Sequence, residues 1–230
     1  MLTHTAFQNV ASGQDLVRGT RTGHQLASNP LKDSIELMGA PIQFGRNQEI
    51  YGESEPADYL YKIISGTVRT YKVLNDGRRQ IGAFYLPGDM FGLESGAEHA
   101  FSAEAITSAT VLVIKRSAVT ALAACDISVA RQLLVMTGRE LARAQNHIML
   151  LIKTAQERVA DFLLEMADRV QENNEVELPM SRQDIADYLG LTIETVSRTL
   201  TQLEHSAAIA LPTTRRIVLR NRAALRQLNS

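Results

Sequence analysis

The chain has 230 residues, 45% of them hydrophobic, and one cysteine. This length suits two globular domains, and a single thiol excludes an intrachain disulfide and any site built from several thiolates of one chain. The net charge of −1 does not point to a nucleic-acid partner, so the distribution of charge along the chain has to decide that question.

The sequence predicts neither a secretory signal nor a membrane-spanning segment. Residues 1–35 are polar and without periodicity, which is typical of a loosely ordered arm. The apolar run in the helical part, residues 148–152, is far shorter than the about 20 residues that cross a bilayer. We therefore expect a cytoplasmic protein without membrane contact.

Residues 36–125 are predicted to form a β domain. Short β-branched and aromatic runs alternate with glycines between residues 41 and 115. The clearest hairpin joins residues 66–74 to residues 78–85 through Asn75, Asp76 and Gly77, which tolerate the positive φ of tight turns. A further turn is predicted at residues 87–89 and a last strand over residues 104–114.

Three side chains of the β domain and of the helical segment that follows it are considered for redox or haem chemistry. Cys125 follows an apolar run, which predicts a small buried side chain; a redox role is the alternative. His99 and His147 stand singly, and we interpret both as surface or interface residues rather than haem ligands.

Residues 126–155 are predicted to form one long helix that pairs with a second copy. Apolar and small residues recur at alternating spacings of three and four from Ile127 to Ala155, as in two supercoiled helices. The alternative is a helix packed on its own β domain, but charged residues such as Arg131 and Arg139 lie off the seam. The expected dimer contacts are Leu134, Thr137, Leu141, Ala144, Ile148 and Leu151.

Residues 156–230 are predicted to form a winged helix-turn-helix. A helix over residues 156–172 precedes a second one that Ser181 caps, with Asp184 three positions on. Gly190 permits the left-handed turn between two steeply crossing helices, and Thr192 caps the next helix.

The outer side of that last helix is the candidate base-reading surface. Its first turns meet the major groove in a helix-turn-helix. Arginine can bond guanine bidentately and glutamate can accept from cytosine, so Glu194 and Arg198 are expected to read a G·C pair jointly. A surface ion pair between them is the alternative. The predicted base contacts are Ile193, Glu194, Ser197 and Arg198.

Phosphate contacts are expected from the helix N-termini and from a wing. Residues 208–211 and 216–220 flank residues 212–215 as a small hairpin, and from residue 181 onward there are seven arginines and four acidic residues. This excess suits phosphates, although an ordinary solvated basic face is the alternative. The predicted phosphate contacts are Ser181, Arg182, Gln183, Thr192, Thr195, Arg215 and Arg216.

The order of β domain, long helix and winged helix-turn-helix resembles the CRP/FNR superfamily of transcription regulators. The motifs that carry the resemblance lie at residues 66–68, 87–92 and 194–198, and the match covers roughly residues 40 to 225. The resemblance implies an α+β fold: a β jelly roll like a cyclic-nucleotide-binding domain, a long dimerisation helix and a C-terminal winged helix-turn-helix.

Glu194, Ser197 and Arg198 are similar to the pattern of the FNR branch, which implies a palindrome like TTGAT, four spacer base pairs, ATCAA. The chain most resembles the FixK group, regulators of low-oxygen respiration and nitrogen fixation. The arm has no cysteine for an iron–sulfur cluster. Where cyclic-AMP-binding members carry an Arg-Ser pair, this chain has Phe101 and Ser102, so a cyclic phosphate has no evident partner.

We therefore expect a homodimeric activator that binds double-stranded DNA and recruits RNA polymerase, without a cofactor and with activity set by protein amount. The rival hypothesis is a small-ligand-binding module whose C-terminal part mediates protein contacts. An enzyme is not expected, because the sequence has no catalytic triad spacing, metal-ligand cluster or Gly-rich phosphate loop.

Overall fold

A computed structural model describes residues 38–170 and 174–228. The predicted arm, residues 1–35, lies outside the described residues. The first half has eight strands: β1 (Ala40–Phe44), β2 (Glu49–Tyr51), β3 (Tyr59–Ser65), β4 (Val68–Val73), β5 (Arg79–Tyr85), β6 (Met90–Phe91), β7 (Ser102–Ala105) and β8 (Ala109–Lys115). They form a roll of two four-stranded antiparallel sheets, with strand orders β1-β8-β3-β6 and β2-β7-β4-β5.

The core of this β domain lies between the inner faces of the two sheets. Alternate residues of each strand point inward, so aromatic and small side chains interlock there. Val68 and Val111 are completely buried, and the rings of Tyr61 and Phe91 stack with centroids 5.0 Å apart. The β jelly roll that the sequence predicts is therefore confirmed.

The predicted hairpin at Asn75–Gly77 is confirmed and joins β4 to β5. Gly77 has a φ of +82°, and the Asp76 carboxylate accepts from the Arg78 backbone N–H at 3.1 Å. Both features are local, and they explain why the turn could be found in the sequence.

The predicted last strand over residues 104–114 is wrong in one respect, because it is two strands. The chain reverses at residues 106–108, where the Thr107 hydroxyl accepts from the backbone N–H of Thr67 at 3.0 Å and Ile106 N–H donates to the Thr67 carbonyl at 2.8 Å. β7 then pairs with β4 and β8 with β3, in different sheets. Alternating apolar residues continue across the break, so the pattern could not reveal it.

Two helices follow the roll: α1 (Arg116–Cys125) and α2 (Ile127–Leu151). Asp126 caps α2 by accepting from the backbone N–H of Ser128 at 2.8 Å, so the predicted helix start is confirmed. The predicted seam ran on to Ala155, but α2 ends at Leu151 and Ala155 begins the next helix. Arg158 stabilises this break by donating to the carbonyls of Lys153 and Leu151.

α2 leaves a row of apolar side chains uncovered. Leu134 is 73% exposed, Leu141 59% and Ile148 63%. Thr137 and Ala144 are also exposed, and Leu151 is 37% exposed.

Within residues 38–170 and 174–228, no helix is long and apolar enough to cross a membrane.

Two of the expectations on single side chains are wrong. Cys125 is exposed, because it is the last residue of α1, which buries Val119 on its inner face. His99 is 2% exposed, and its ring stacks on Tyr51 at a centroid distance of 3.6 Å. His147 is half-buried and bonds the Tyr188 carbonyl at 2.7 Å, which agrees with an interface position.

The C-terminal part is a three-stranded sheet with four helices. Its elements are α3 (Ala155–Val170), β9 (Glu175–Glu177), α4 (Arg182–Leu189), α5 (Ile193–His205), β10 (Ile209–Ala210), β11 (Arg216–Leu219) and α6 (Arg222–Gln227). The face of α3 predicted from helical spacing comprises Val159, Phe162, Leu163, Met166 and Val170; the first four are buried and Val170 is half-buried. The predicted end of this helix at Glu172 falls outside the described residues.

The two halves share one hydrophobic core. Ile81, Phe84 and Ile106 of the β domain belong to the same cluster as the buried residues of α3, α4 and α5. The Phe84 ring lies 5.2 Å from Tyr188 and 6.2 Å from Phe162 between centroids. Because this packing is continuous, the helix-turn-helix is docked on the roll of its own chain.

Candidate nucleic-acid interface

The first helix of the pair, α4, begins with a capping box. The Ser181 hydroxyl accepts from the Asp184 backbone N–H at 3.1 Å, and the Asp184 carboxylate accepts from the Ser181 backbone N–H at 3.0 Å. Ile185, Ala186 and Leu189 are buried on the inner face. The predicted cap is confirmed.

The turn between α4 and α5 is formed by a glycine and a threonine, as predicted. Gly190 adopts a φ of +63°, and the Leu191 backbone N–H donates to the Ala186 carbonyl at 3.0 Å. The Thr192 hydroxyl accepts from the Thr195 backbone N–H at 3.2 Å and caps α5. Arg158 also donates to the Leu189 carbonyl at 2.8 Å, so the end of α4 is held to the start of α3.

The second helix, α5, has a buried face and an open face. Val196, Leu200 and Leu203 pack into the core. The four residues predicted to contact bases all lie on the other side: Ile193, Glu194 and Arg198 are exposed and Ser197 is half-buried. The structure therefore brings them together at the start of the helix.

The alternative for Glu194 and Arg198 was an ion pair on the helix surface. Among residues 38–170 and 174–228, no ion pair within 4.0 Å joins the two. Hydrogen bonds from its own backbone N–H and from the Thr192 hydroxyl hold the pKa of Glu194 below its usual value. Glu194 is exposed, so its carboxylate is accessible to a base.

The residues predicted to contact phosphate at the start of α4 lie close to α5. Arg182 donates to the Ser197 hydroxyl at 3.3 Å, and the Gln183 amide donates to the Asp187 carboxylate at 2.6 Å. Ser181 and Gln183 are exposed and Arg182 is half-buried. The Ser181 hydroxyl and its backbone N–H are both engaged in the cap.

The predicted wing is confirmed and has one strand more than expected. β10 pairs with β11, and at the tip the Thr213 hydroxyl accepts from the backbone N–H groups of Arg215 and Arg216 at 3.3 and 3.0 Å. Both arginines are exposed, and Arg216 forms an ion pair with Glu175. Glu175 lies on β9, which pairs with β11. This strand was not predicted, because three residues are too few to show an alternation of apolar and polar side chains.

The polar contacts that hold α4 to the roll were not predicted from the sequence. Arg69 and Arg79, on β4 and β5, reach the carboxylates of Asp184 and Asp187. The signal in the sequence was two acidic residues three positions apart on one helix face, which by itself is typical of a solvated surface.

Both halves match known families. Residues 157–228 match the Crp-like helix-turn-helix domain, and residues 41–126 match the cyclic nucleotide-binding domain. The Nitrogen fixation regulation protein FixK of Azorhizobium caulinodans is 52% identical over 202 residues, which cover 85% of this chain and 82% of the relative.

The chain belongs to the CRP/FNR family. This family member is also 44% identical over 210 residues to the Nitrogen fixation regulation protein FixK of Rhizobium meliloti, covering 87% of this chain and 96% of the relative. Among solved structures, FixK2 from Bradyrhizobium japonicum superimposes with a TM-score of 0.81 at 52% identity, covering 84% of this chain and 98% of that one.

Proposed function

We propose that this CRP/FNR family member is a FixK-like transcription activator that binds a palindrome as a homodimer. One observation carries the proposal: the outer face of α5, with Ile193, Glu194, Ser197 and Arg198, is open at the N-terminal end of a Crp-like recognition helix. That end of the second helix is the part that enters the major groove in a helix-turn-helix.

The base pair that these residues read is a G·C pair. The Arg198 guanidinium, exposed and outside any ion pair of the described residues, can donate twice to guanine O6 and N7. The ionised Glu194 can accept from the amino group of the paired cytosine. Ser197 and Ile193 contact neighbouring base edges. This combination suits the TTGAT and ATCAA half-sites of the FNR branch.

Phosphates on either side fix the register. The N-terminus of α4, with Ser181, Arg182 and Gln183, and that of α5, with Thr192 and Thr195, present backbone N–H groups and hydroxyls to the DNA strand. Arg215 and Arg216 at the wing tip contact phosphates beyond the recognition helix.

A second copy covers the apolar row of α2. Leu134, Leu141, Ile148 and Leu151 are exposed at spacings of seven, seven and three, as expected for two helices that supercoil. A two-fold axis along this seam presents two recognition helices to the two halves of a palindrome.

The activity is independent of a cyclic nucleotide. A cavity of 490 Å³ lies between the roll and α2, and its lining includes Tyr51, Glu94, Phe101 and Glu140. Among the described residues, Arg143 is the only arginine in the lining of this cavity. Its guanidinium is ion-paired to Glu140 at 2.8 Å and to Asp89 at 3.6 Å. A cyclic phosphate would therefore meet carboxylates and no free arginine there, which opposes its binding.

The regulated genes include those of nitrogen fixation, since the relatives of 52% and 44% identity are named Nitrogen fixation regulation protein FixK; the resemblance to the FixK group adds those of low-oxygen respiration. The dimer acts in the cytoplasm on chromosomal DNA and recruits RNA polymerase through exposed loops of the β domain.

The test is binding of the purified protein to a duplex with TTGAT and ATCAA half-sites, beside a scrambled duplex, at physiological salt and without added ligand. We expect at least a thousandfold preference for the palindrome, on the order of other specific regulators. Equal binding to both duplexes contradicts the proposal. Selectivity that needs a cyclic nucleotide contradicts effector independence and favours a ligand-binding module.

A further inference from the structure

A cluster of charged side chains joins the roll to the first helix of the helix-turn-helix. Arg69 donates to the Asp184 carboxylate at 2.6 Å and to the Glu104 carboxylate at 2.9 Å. Arg79 donates to the same oxygen of Asp184 at 2.7 Å and to the Asp187 carboxylate at 2.8 Å. Two arginines, on the two strands of the β4–β5 hairpin, thus form ion pairs with two carboxylates on one face of α4.

This ion cluster lies away from water. Arg69 is 8% exposed and Asp184 is 4% exposed as whole residues, and the side chains of Asp187 and Arg79 are 12% and 26% exposed. Removing such charges from water costs about as much as their attraction returns, so a buried cluster contributes little net stability. Any other docking geometry would, however, separate Asp184 from both arginines and leave Arg69 with Glu104 as its ion-pair partner. The cluster consequently selects one orientation of α4 on the roll.

Asp184 transmits that orientation to the recognition helix. One carboxylate oxygen meets the two arginines, and the other accepts from the Ser181 backbone N–H in the capping box. The position and direction of α4 are therefore fixed at its N-terminus. α5 follows through the Gly190 turn and through the hydrogen bond from Arg182 to Ser197.

In the resulting orientation the DNA-reading side of α5 is not covered by the roll. Ile193, Glu194 and Arg198 are exposed although the tip of the β4–β5 hairpin lies beside the start of α5. We propose that Arg69 and Arg79 are positioning residues for DNA binding, which act through Asp184 and Asp187 to hold the recognition helix in its binding orientation without an effector. This inference rests on the proposed function.

The test compares Arg79→Met with Arg78→Met in the full-length protein. Arg78 is the matched control, because it is the neighbouring arginine, 77% exposed, and paired with Asp76 inside the hairpin. If the binding orientation falls to about a tenth of the population, the apparent Kd for the palindrome rises about tenfold. We expect that rise for Arg79→Met and no change for Arg78→Met.

Two further measurements separate positioning from direct contact. The slope of log affinity against log salt should be the same for Arg79→Met and the wild type, since the number of phosphate contacts is unchanged; loss of a phosphate contact would reduce the slope by about 0.9. Asp187→Asn should also weaken binding, though by less than Arg79→Met, which removes the contact with Asp184 as well, and the double variant should bind no more weakly than Arg79→Met. Arg79→Lys should restore part of the affinity.

The inference is overturned if Arg79→Met binds like Arg78→Met, if it binds more tightly than the wild type, or if the salt slope falls. Should Arg79→Met not fold, Asp187→Asn decides in the same way. Failure of the proposed function looks different: the wild type itself would not distinguish the palindrome from the scrambled duplex.

Discussion

Arg198 and Arg215 are two exposed arginines of one domain with different expected partners. Arg198 lies on the outer side of α5, among the residues proposed to contact base edges, whereas Arg215 lies at the tip of the wing. Their surroundings differ accordingly, since only the first can meet the donor and acceptor pattern of a base pair.

Replacing Arg198 by alanine should cost about 1–3 kcal/mol of specific affinity and relax the preference at one G·C pair per half-site. Arg215→Ala should weaken all sequences about equally. Competition binding with duplexes mutated at single positions measures both effects. Equal losses on specific and random DNA for Arg198→Ala would contradict its assignment to a base.

Gly66 is a position where the roll tolerates no side chain. It connects β3 to β4 with a φ of +83°, and a Cβ there would lie 2.4 Å from the Ser108 carbonyl oxygen and 2.6 Å from the Ala109 Cα. Both neighbours are backbone atoms, so neither can rotate away.

Gly66→Ala should therefore lower the free energy of unfolding by about 2–5 kcal/mol, the sum of left-handed strain and overpacking. Gly77→Ala is the control, with a φ of +82° but nothing within 4 Å of its Cβ, and should cost about 1–2 kcal/mol. Urea unfolding measures both variants. The steric argument is wrong if the two losses are the same.

At the scale of elements, α2 has two sides with different tasks. One side contacts the roll, where Glu140 accepts from the Tyr85 hydroxyl at 3.2 Å and Arg143 pairs with Asp89. The adjacent face exposes the apolar seam, of which Leu141 and Ile148 also line the cavity between α2 and the roll. Both arrangements that the sequence left open, packing on the β domain and a free seam, are thus present on one helix.

Leu141→Glu should convert the dimer to monomers at micromolar concentration, because it places two like charges opposite each other in a desolvated seam. Asn146→Glu is the control, an exposed position on the far side of the same helix. Sedimentation measures the oligomeric state. A Leu141→Glu protein that stays dimeric would mean that another surface holds the two copies together.

At the scale of the whole molecule, the roll and the helix-turn-helix are joined by one hydrophobic core and by the ion cluster of Arg69, Arg79, Asp184 and Asp187. Phe84 of the roll fills the space between Phe162 and Tyr188. A core that is continuous across two domains makes their unfolding one cooperative event.

Phe84→Ala should accordingly destabilise both domains together, by about 3–5 kcal/mol. Hydrogen exchange at fixed protein concentration measures this, with the amides of β8 and of α5 as separate probes. We expect the protection of both to fall to the same extent. Protection lost in the roll alone would show that the helix-turn-helix folds independently.

Features whose physical causes lie within a few residues could be predicted from the sequence. The capping box of Ser181 and Asp184, the left-handed Gly190 and the hairpin turn at Gly77 depend on local hydrogen bonds and backbone sterics, so residue types at short spacing were enough. The seam of α2 and the open face of α5 followed from helical periodicity for the same reason.

Contacts between residues far apart in the chain, and the burial that depends on them, could be seen only in the folded structure. Arg69 and Asp184 are 115 positions apart, His99 is buried because Tyr51 lies over it, and the strand predicted over residues 104–114 breaks where Thr67 meets Thr107. Cys125 is exposed because of the face that α1 turns to the roll. None of these pairings has a signature in local pattern, since each depends on which surfaces the folded chain brings into contact.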